Sequence, residues 1–191
     1  MSYKTKDITK LVEKTNQFQS TIGSGEYGER AEKAVSSLQS LGNELNEAKR
    51  QHCLDNGYTE IIVAETEHAY LAPERMPKRQ FKQIVSRVPE NLPHQARLFY
   101  FVESEVLNGS QHTDEYRELV RRRQEVLDSI VTIIEEFASE HLSDLSTEER
   151  VVAVYAVFGI NFDSPIISKA LDCDEETVKK YDLQDGVVVR Y

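Results

Sequence analysis

Apolar residues recur along most of this chain at steps of three and four, the spacing of one face of an α-helix. Ile8, Leu11, Val12, Thr15, Phe18 and Ile22 share such a face and predict a first helix. Ala31, Ala34, Val35, Leu38, Leu41, Leu45 and Ala48 predict a longer one over roughly 29–54. Asn56-Gly57 stops it, with Gly57 suited to the left-handed position past a helix end. The stretch YTEIIVAETEHAYL, 58–71, reads as a helix from Thr59, with a short strand at its start as the alternative. Pro77 suits the first turn of a helix over 77–88, because its missing N–H has no helical partner there. HQARLFYFVESEVL, 94–107, predicts a further helix closed by Asn108-Gly109. The longest element spans about 113–142. Tyr116, Leu119, Val120, Val126, Leu127, Ile130, Ile133, Ile134 and Phe137 line one broad side of it. A stripe that wide is core, or else the seam of a homodimer, although Arg123 interrupts its spacing of seven.

The pattern changes character after Leu142. In LSTEERVVAVYAVFGINFDSPIISKALDCDEETVKKY, 145–181, Ser146 and Glu149 form a capping box ahead of a helix that Gly159 ends. That helix is expected to bury Val151 or Val152, with Tyr155 and Phe158. Ser164 and Pro165 open a second helix as N-cap and first residue, with Ile166, Ile167, Ala170 and Leu171 facing inward. Asp172 stands at the corner, and Asp174 caps a third helix that carries Val178 on its inner side.

This stretch resembles the helix-turn-helix of the sigma-factor region 4 and LuxR-type families. Leu145, Ser146, Glu148 or Glu149, Arg150, Gly159, Ile167-Ser168, Leu171, Asp174 and Thr177-Val178-Lys179 take the places of their pattern. Asp172 stands where those families carry a corner Gly, and Ser168 where they carry Ala. The resemblance covers about a fifth of the chain and implies a DNA-reading third helix. The contacts it implies come from Ser164, Glu175, Glu176, Thr177, Lys179 and Lys180. The expected organisation is mainly α: a multi-helix bundle over 1–144 for core, oligomerisation or effector binding, then a helix-turn-helix module over 145–191. Gly186 and Val187-Val188-Val189 predict a short terminal β-strand.

Charge complicates that reading. Of the 191 residues, 33 are acidic and 23 basic, for a net −10. Residues 146–191 alone carry 9 acidic and 5 basic groups, while DNA affinity comes mainly from neutralising phosphates. The only positive block is 73–123, with 10 basic and 7 acidic groups. Within it Arg75, Lys78, Arg79 and Lys82 are the candidates for added phosphate contacts. The functional expectation is thus a DNA-binding transcriptional regulator, with double-stranded DNA as partner and a homodimer through 113–142. The alternative is a protein-interaction or assembly module.

Other chemistry is thinly represented. GSGEYG, 23–28, matches a glycine-rich phosphate loop but follows a helical pattern, so it reads as a helix–helix connector. Two cysteines without a CxxC pair and five histidines without metal-ligand spacing point to no metal or disulfide. No catalytic residue and no cofactor is assigned; Glu65, Glu67 and His68 read as surface groups. A polar start and the lack of a long apolar run point to a cytoplasmic protein without a membrane span.

Overall fold

The computed structural model describes residues 5–63 and 67–190. It is mainly helical, with two small antiparallel sheets. The contacts of Ile8 and Leu11, and the position of Glu65, lie outside the described residues. The chain forms two compact units, one of 1–38 with 124–191 and one of 39–123. The divisions fall inside two long helices, α2 (Gly25–Asp55) and α6 (Asp114–His141).

The first unit holds α1 (Thr5–Thr21), the start of α2, the end of α6, α7 (Thr147–Phe158), α8 (Ser164–Ala170), α9 (Glu175–Val178) and the hairpin β3 (Tyr181–Gln184) with β4 (Val187–Arg190). Its centre is α7. All eight residues from Val151 to Phe158 are buried. The run VVAVYAVF has no polar face, and a helix apolar all round has to be enclosed on every side. The expected one-sided helix is therefore corrected to a central one. Its neighbours are α1 and both strands of the terminal hairpin, and its residues share a core with Ile130, Ile134 and Phe137 of α6. The second half of the long α6 stripe is thus packed inside the unit. Phe137 stacks edge-on against Phe158 and Tyr27, with ring centroids 5.0 and 5.7 Å away.

The capping box at the start of α7 is formed. Glu149 N–H donates to Ser146 Oγ and Ser146 N–H to Glu149 Oε2, at 3.4 and 3.2 Å. Lys14 of α1 adds an ion pair to Glu149 at 2.5 Å. The Lys14 ammonium, helped by Ser146, pulls the Glu149 carboxyl down to about 2 from its ordinary value of 4.5. A folded-state pKa below the unfolded one means the unfolded chain takes up the proton more readily. This contribution is therefore complete above about pH 4.5 and fades as pH falls toward about 2. The pair is partly exposed, so solvent screens it, and most of its worth is that of the cap. Glu149→Gln is expected to cost about 1 kcal/mol at neutral pH and to flatten the acid limb of a melting-temperature profile.

Gly159 closes α7 at φ 63°. Asp163, one residue ahead of the expected Ser164, is the N-cap of α8, so Ser164 and Pro165 fill its first turn. The terminal strand finds its partner next door. Tyr181–Gln184 pairs with Val187–Arg190 across a two-residue Asp185-Gly186 loop, with φ of 50° and 77°. Two successive positive φ values are those of a type I′ turn, whose twist matches the strands it joins. The link between α1 and α2 is shorter than the 23–28 connector expected: it spans 22–24, and Gly25 to Gly28 already form the first turn of α2.

The second unit is built on a hairpin of β1 (Tyr58–Val63) and β2 (His68–Pro73), which corrects the helix expected over this stretch. Gly57 turns the chain at φ 84°. Ile61, Ile62 and Val63 are β-branched and fit a pleated surface better than a helix. Both faces of the sheet are used. Tyr58 and Leu71 bury on one face with Cys53 of α2, and with residues of α4 (His94–Leu98) and α5 (Ser104–Gly109). Tyr70 and Ala72 bury on the other against Phe81 of α3 (Lys78–Val85). The single helix expected over 94–107 is split. Its FYFV run is poor in helix formers, and Glu103 N–H donates to Tyr58 Oη at 3.1 Å rather than continuing a helical ladder.

Candidate binding surfaces

The first candidate surface is the segment from Ser164 to Lys180. After α8 the chain turns sharply at Asp172, a non-glycine residue at φ 47°, as expected of an aspartate corner. Ser168 braces the corner from within, its hydroxyl donating to Cys173 O at 2.5 Å. Asp174 then caps α9 by accepting from Glu176 N–H at 3.2 Å. The expected third helix is here a single turn of four residues, about 6 Å long at the α-helical rise. Residue 181 already begins β3, and Asp182 lies in that strand and accepts from Asn161 Nδ2.

Of the sequence-selected residues of this segment, Ser164 begins α8, and Glu175, Glu176 and Thr177 lie on α9 with Lys179 as its C-cap. Glu176, Lys179 and Lys180 are exposed, while Ser164, Glu175 and Thr177 are half-buried. Their charges are largely spent on one another. Lys179 Nζ lies 3.0 Å from Glu176 and 3.3 Å from Glu175, which together raise its pKa. Lys180 and Arg190 both approach Glu148, at 3.9 and 3.7 Å. The unit around them holds 11 basic and 20 acidic residues, a net −9.

The second surface lies in the other unit, around the basic stretch Arg75–Lys82. Positions 78, 81, 82, 85 and 86 of α3 and its end step by three and four, so they share one face. That face and β1 enclose a groove of about 710 Å³. Ile61, Val63, Met76, Phe81 and Val85 supply its apolar lining. Lys78 and Lys82 stand on the helix side of it, with Glu74 as the acidic lining residue among those described. Ile62, at the strand side, is 68% exposed.

Arg75, Lys78, Arg79 and Lys82 are all exposed, and none has a carboxylate within 4.0 Å among the described residues. Elsewhere arginines are matched: Arg121 with Glu118 at 2.5 Å, Arg50 with Glu60 at 2.6 Å. The two halves of the expected DNA-contacting set thus fall in different units, with Ser164 and 175–180 in one and 75–82 in the other. The groove itself was not anticipated. The sequence holds no local signal for it, because its walls β1 and α3 are separated along the chain by β2.

Chemistry beyond binding finds little to build on. Burial raises the pKa of both thiols, Cys53 and Cys173, so neither is activated as a thiolate. Among the described residues no group of three or more His, Cys, Asp or Glu is placed to hold a metal ion, and no helix is long and apolar enough to cross a membrane. Comparison with family models, with curated proteins and with solved structures finds no match to this chain.

Proposed function

We propose that this protein is a protein-interaction module whose partner is taken by the apolar, lysine-flanked groove of the 39–123 unit. The supporting observation is the pairing of that groove with cations that no carboxylate of the described residues neutralises. A contiguous apolar surface rimmed by polar groups is the ordinary mark of a binding site. Unmatched lysines beside it select a ligand that brings carboxylates of its own.

The rival reading is a duplex-DNA reader built on a helix-turn-helix over 164–180. The outward placement of Lys179 and Lys180 favours it. Against it stand the single turn of α9, the carboxylates already paired with those lysines, and the net −9 of their unit. Phosphate contacts need uncommitted cations, and a strongly acidic body repels the duplex at long range.

One pair of measurements separates the two. A displayed random-peptide library panned on the folded chain is expected to enrich sequences that mix acidic and apolar residues. Their binding should weaken about tenfold in Lys78→Glu/Lys82→Glu. Titration with a short random duplex at low salt is expected to show no saturable binding. Tight duplex binding that falls with salt and with Lys179→Ala/Lys180→Ala, without peptide enrichment, would reject the interaction reading.

A further inference from the structure

The hydrogen-bond register of the 58–73 hairpin shows which backbone groups of β1 remain open. Glu74 N–H donates to Gly57 O at 3.0 Å, just beyond the ladder. With Tyr58 opposite Pro73, this direct bond gives 57 and 74 the parity of a hydrogen-bonded pair. Antiparallel strands alternate bonded and non-bonded pairs. Thr59, Ile61 and Val63 therefore turn their N–H and C=O groups inward to β2, and Glu60 and Ile62 turn theirs away. Pro73 fits this parity, because it lacks an N–H and faces Tyr58 in a non-bonded pair.

The outer edge of β1 meets no further strand among the described residues, whereas α4 lies against β2. Nor do Glu60 or Ile62 make any other backbone bond within the described residues. Exposed sheet edges are normally guarded by lysine, proline or a bulge. The YTEIIV strand has none of these, and its one charge, Glu60, is engaged by Arg50 at 2.6 Å. The open edge borders the groove whose opposite wall is α3.

We propose that the occupant of this groove is an extended, acidic segment of a partner protein, added as a third strand beside β1. The inference rests on the interaction reading above and specifies its mode. Glu60 and Ile62 would exchange backbone hydrogen bonds with the guest strand, which gives affinity independent of its sequence. Alternate guest side chains would point to the α3 side, where Ile61, Val63, Phe81 and Val85 receive apolar groups. Carboxylates on the same side would meet Lys78 and Lys82. A helical guest satisfies its own backbone and would leave the Glu60 and Ile62 groups unused, so the open edge favours an extended one.

The probe is a labelled octapeptide, Val-Val-Glu-Glu-Val-Val-Glu-Glu, which places an apolar and an acidic residue alternately on both of its faces. It is titrated against the intact chain by fluorescence anisotropy, beside a copy N-methylated at every residue and a copy with Lys for Glu. Binding of the first, with a loss of about tenfold or more in each of the others, is the expected result. Ile62→Pro removes one outward donor and breaks no β1–β2 hydrogen bond. It should weaken binding of the unmodified peptide by a similar factor while the circular dichroism spectrum is kept. Equal binding of the fully N-methylated copy and the parent peptide overturns strand addition but leaves groove binding intact. No binding of the parent peptide at about 1 mM also overturns it. Failure of the library panning, not of this titration, rejects the broader interaction reading.

Discussion

Val154→Asp is expected to abolish folding of the 1–38/124–191 unit. Val154 is fully buried, and every residue on either side of it from Val151 to Phe158 is buried too. A helix enclosed in this way has no face to which a carboxylate could turn. An ionised aspartate would be desolvated among Val, Ala and Phe side chains with no cation beside it, and a protonated one would still lack hydrogen-bond partners. The loss should exceed about 4 kcal/mol, a large part of the 5–15 kcal/mol that stabilises an ordinary domain. Chemical denaturation followed by circular dichroism measures it. If α7 instead lay on the surface with only Tyr155 and Phe158 inward, the same change would cost well under about 1 kcal/mol. Val154→Ala is the milder control, expected to lower stability by about 1–3 kcal/mol without abolishing the fold.

Phe81→Ala is expected to be the most damaging single truncation in the 39–123 unit. Phe81 is 5% exposed and sits between Tyr70 and Phe101, with ring centroids 6.0 and 5.6 Å away. Tyr70 and Phe101 are themselves 5.6 Å apart, so the three rings form a closed cluster. Removing one ring forfeits its burial and two edge-to-face contacts, and leaves a cavity that the sheet cannot collapse into. A loss of about 3–5 kcal/mol is expected. The same ring floors the groove, so the substitution should also abolish peptide binding. Because unfolding alone would do that, Lys78→Glu/Lys82→Glu serves as the companion. Both lysines are exposed, so it should leave the melting temperature near that of the parent while weakening the peptide.

The sequence disclosed helices best where periodicity and capping agreed. Ser146 with Glu149, Gly159, Asp172 and Asp174 all occupy the expected local roles, because each is decided by neighbours within a few residues. Elements decided at longer range were misread. Ile61-Ile62-Val63 has no period of its own, and only its pairing with 68–73 makes it a strand. The break at 99–103 depends on Tyr58, 45 residues away. The terminal hairpin was within reach, since Asp185-Gly186 between the alternating YDLQ and the VVVR run is a strong hairpin signal. The full burial of α7 was also written in its unbroken apolar run.

The expected binding residues fared unevenly for a related reason. Side-chain type identifies a cation but not its neighbours. Lys179 and Lys180 looked available in the linear order, yet Glu148, Glu175 and Glu176 lie beside them in space. Lys78 and Lys82 looked like auxiliary charges, yet they border the apolar groove. No local pattern reveals that groove, because its two walls meet only once β1, β2 and α3 have packed.

Amide hydrogen exchange of the intact chain, with and without the octapeptide and with and without a short duplex, tests the central claim most directly. The expected footprint is slowed exchange at the Glu60 and Ile62 amides when the peptide is present, with no protection anywhere on adding DNA. Protection of 164–180 by the duplex, with the β1 amides unchanged by the peptide, would contradict the account.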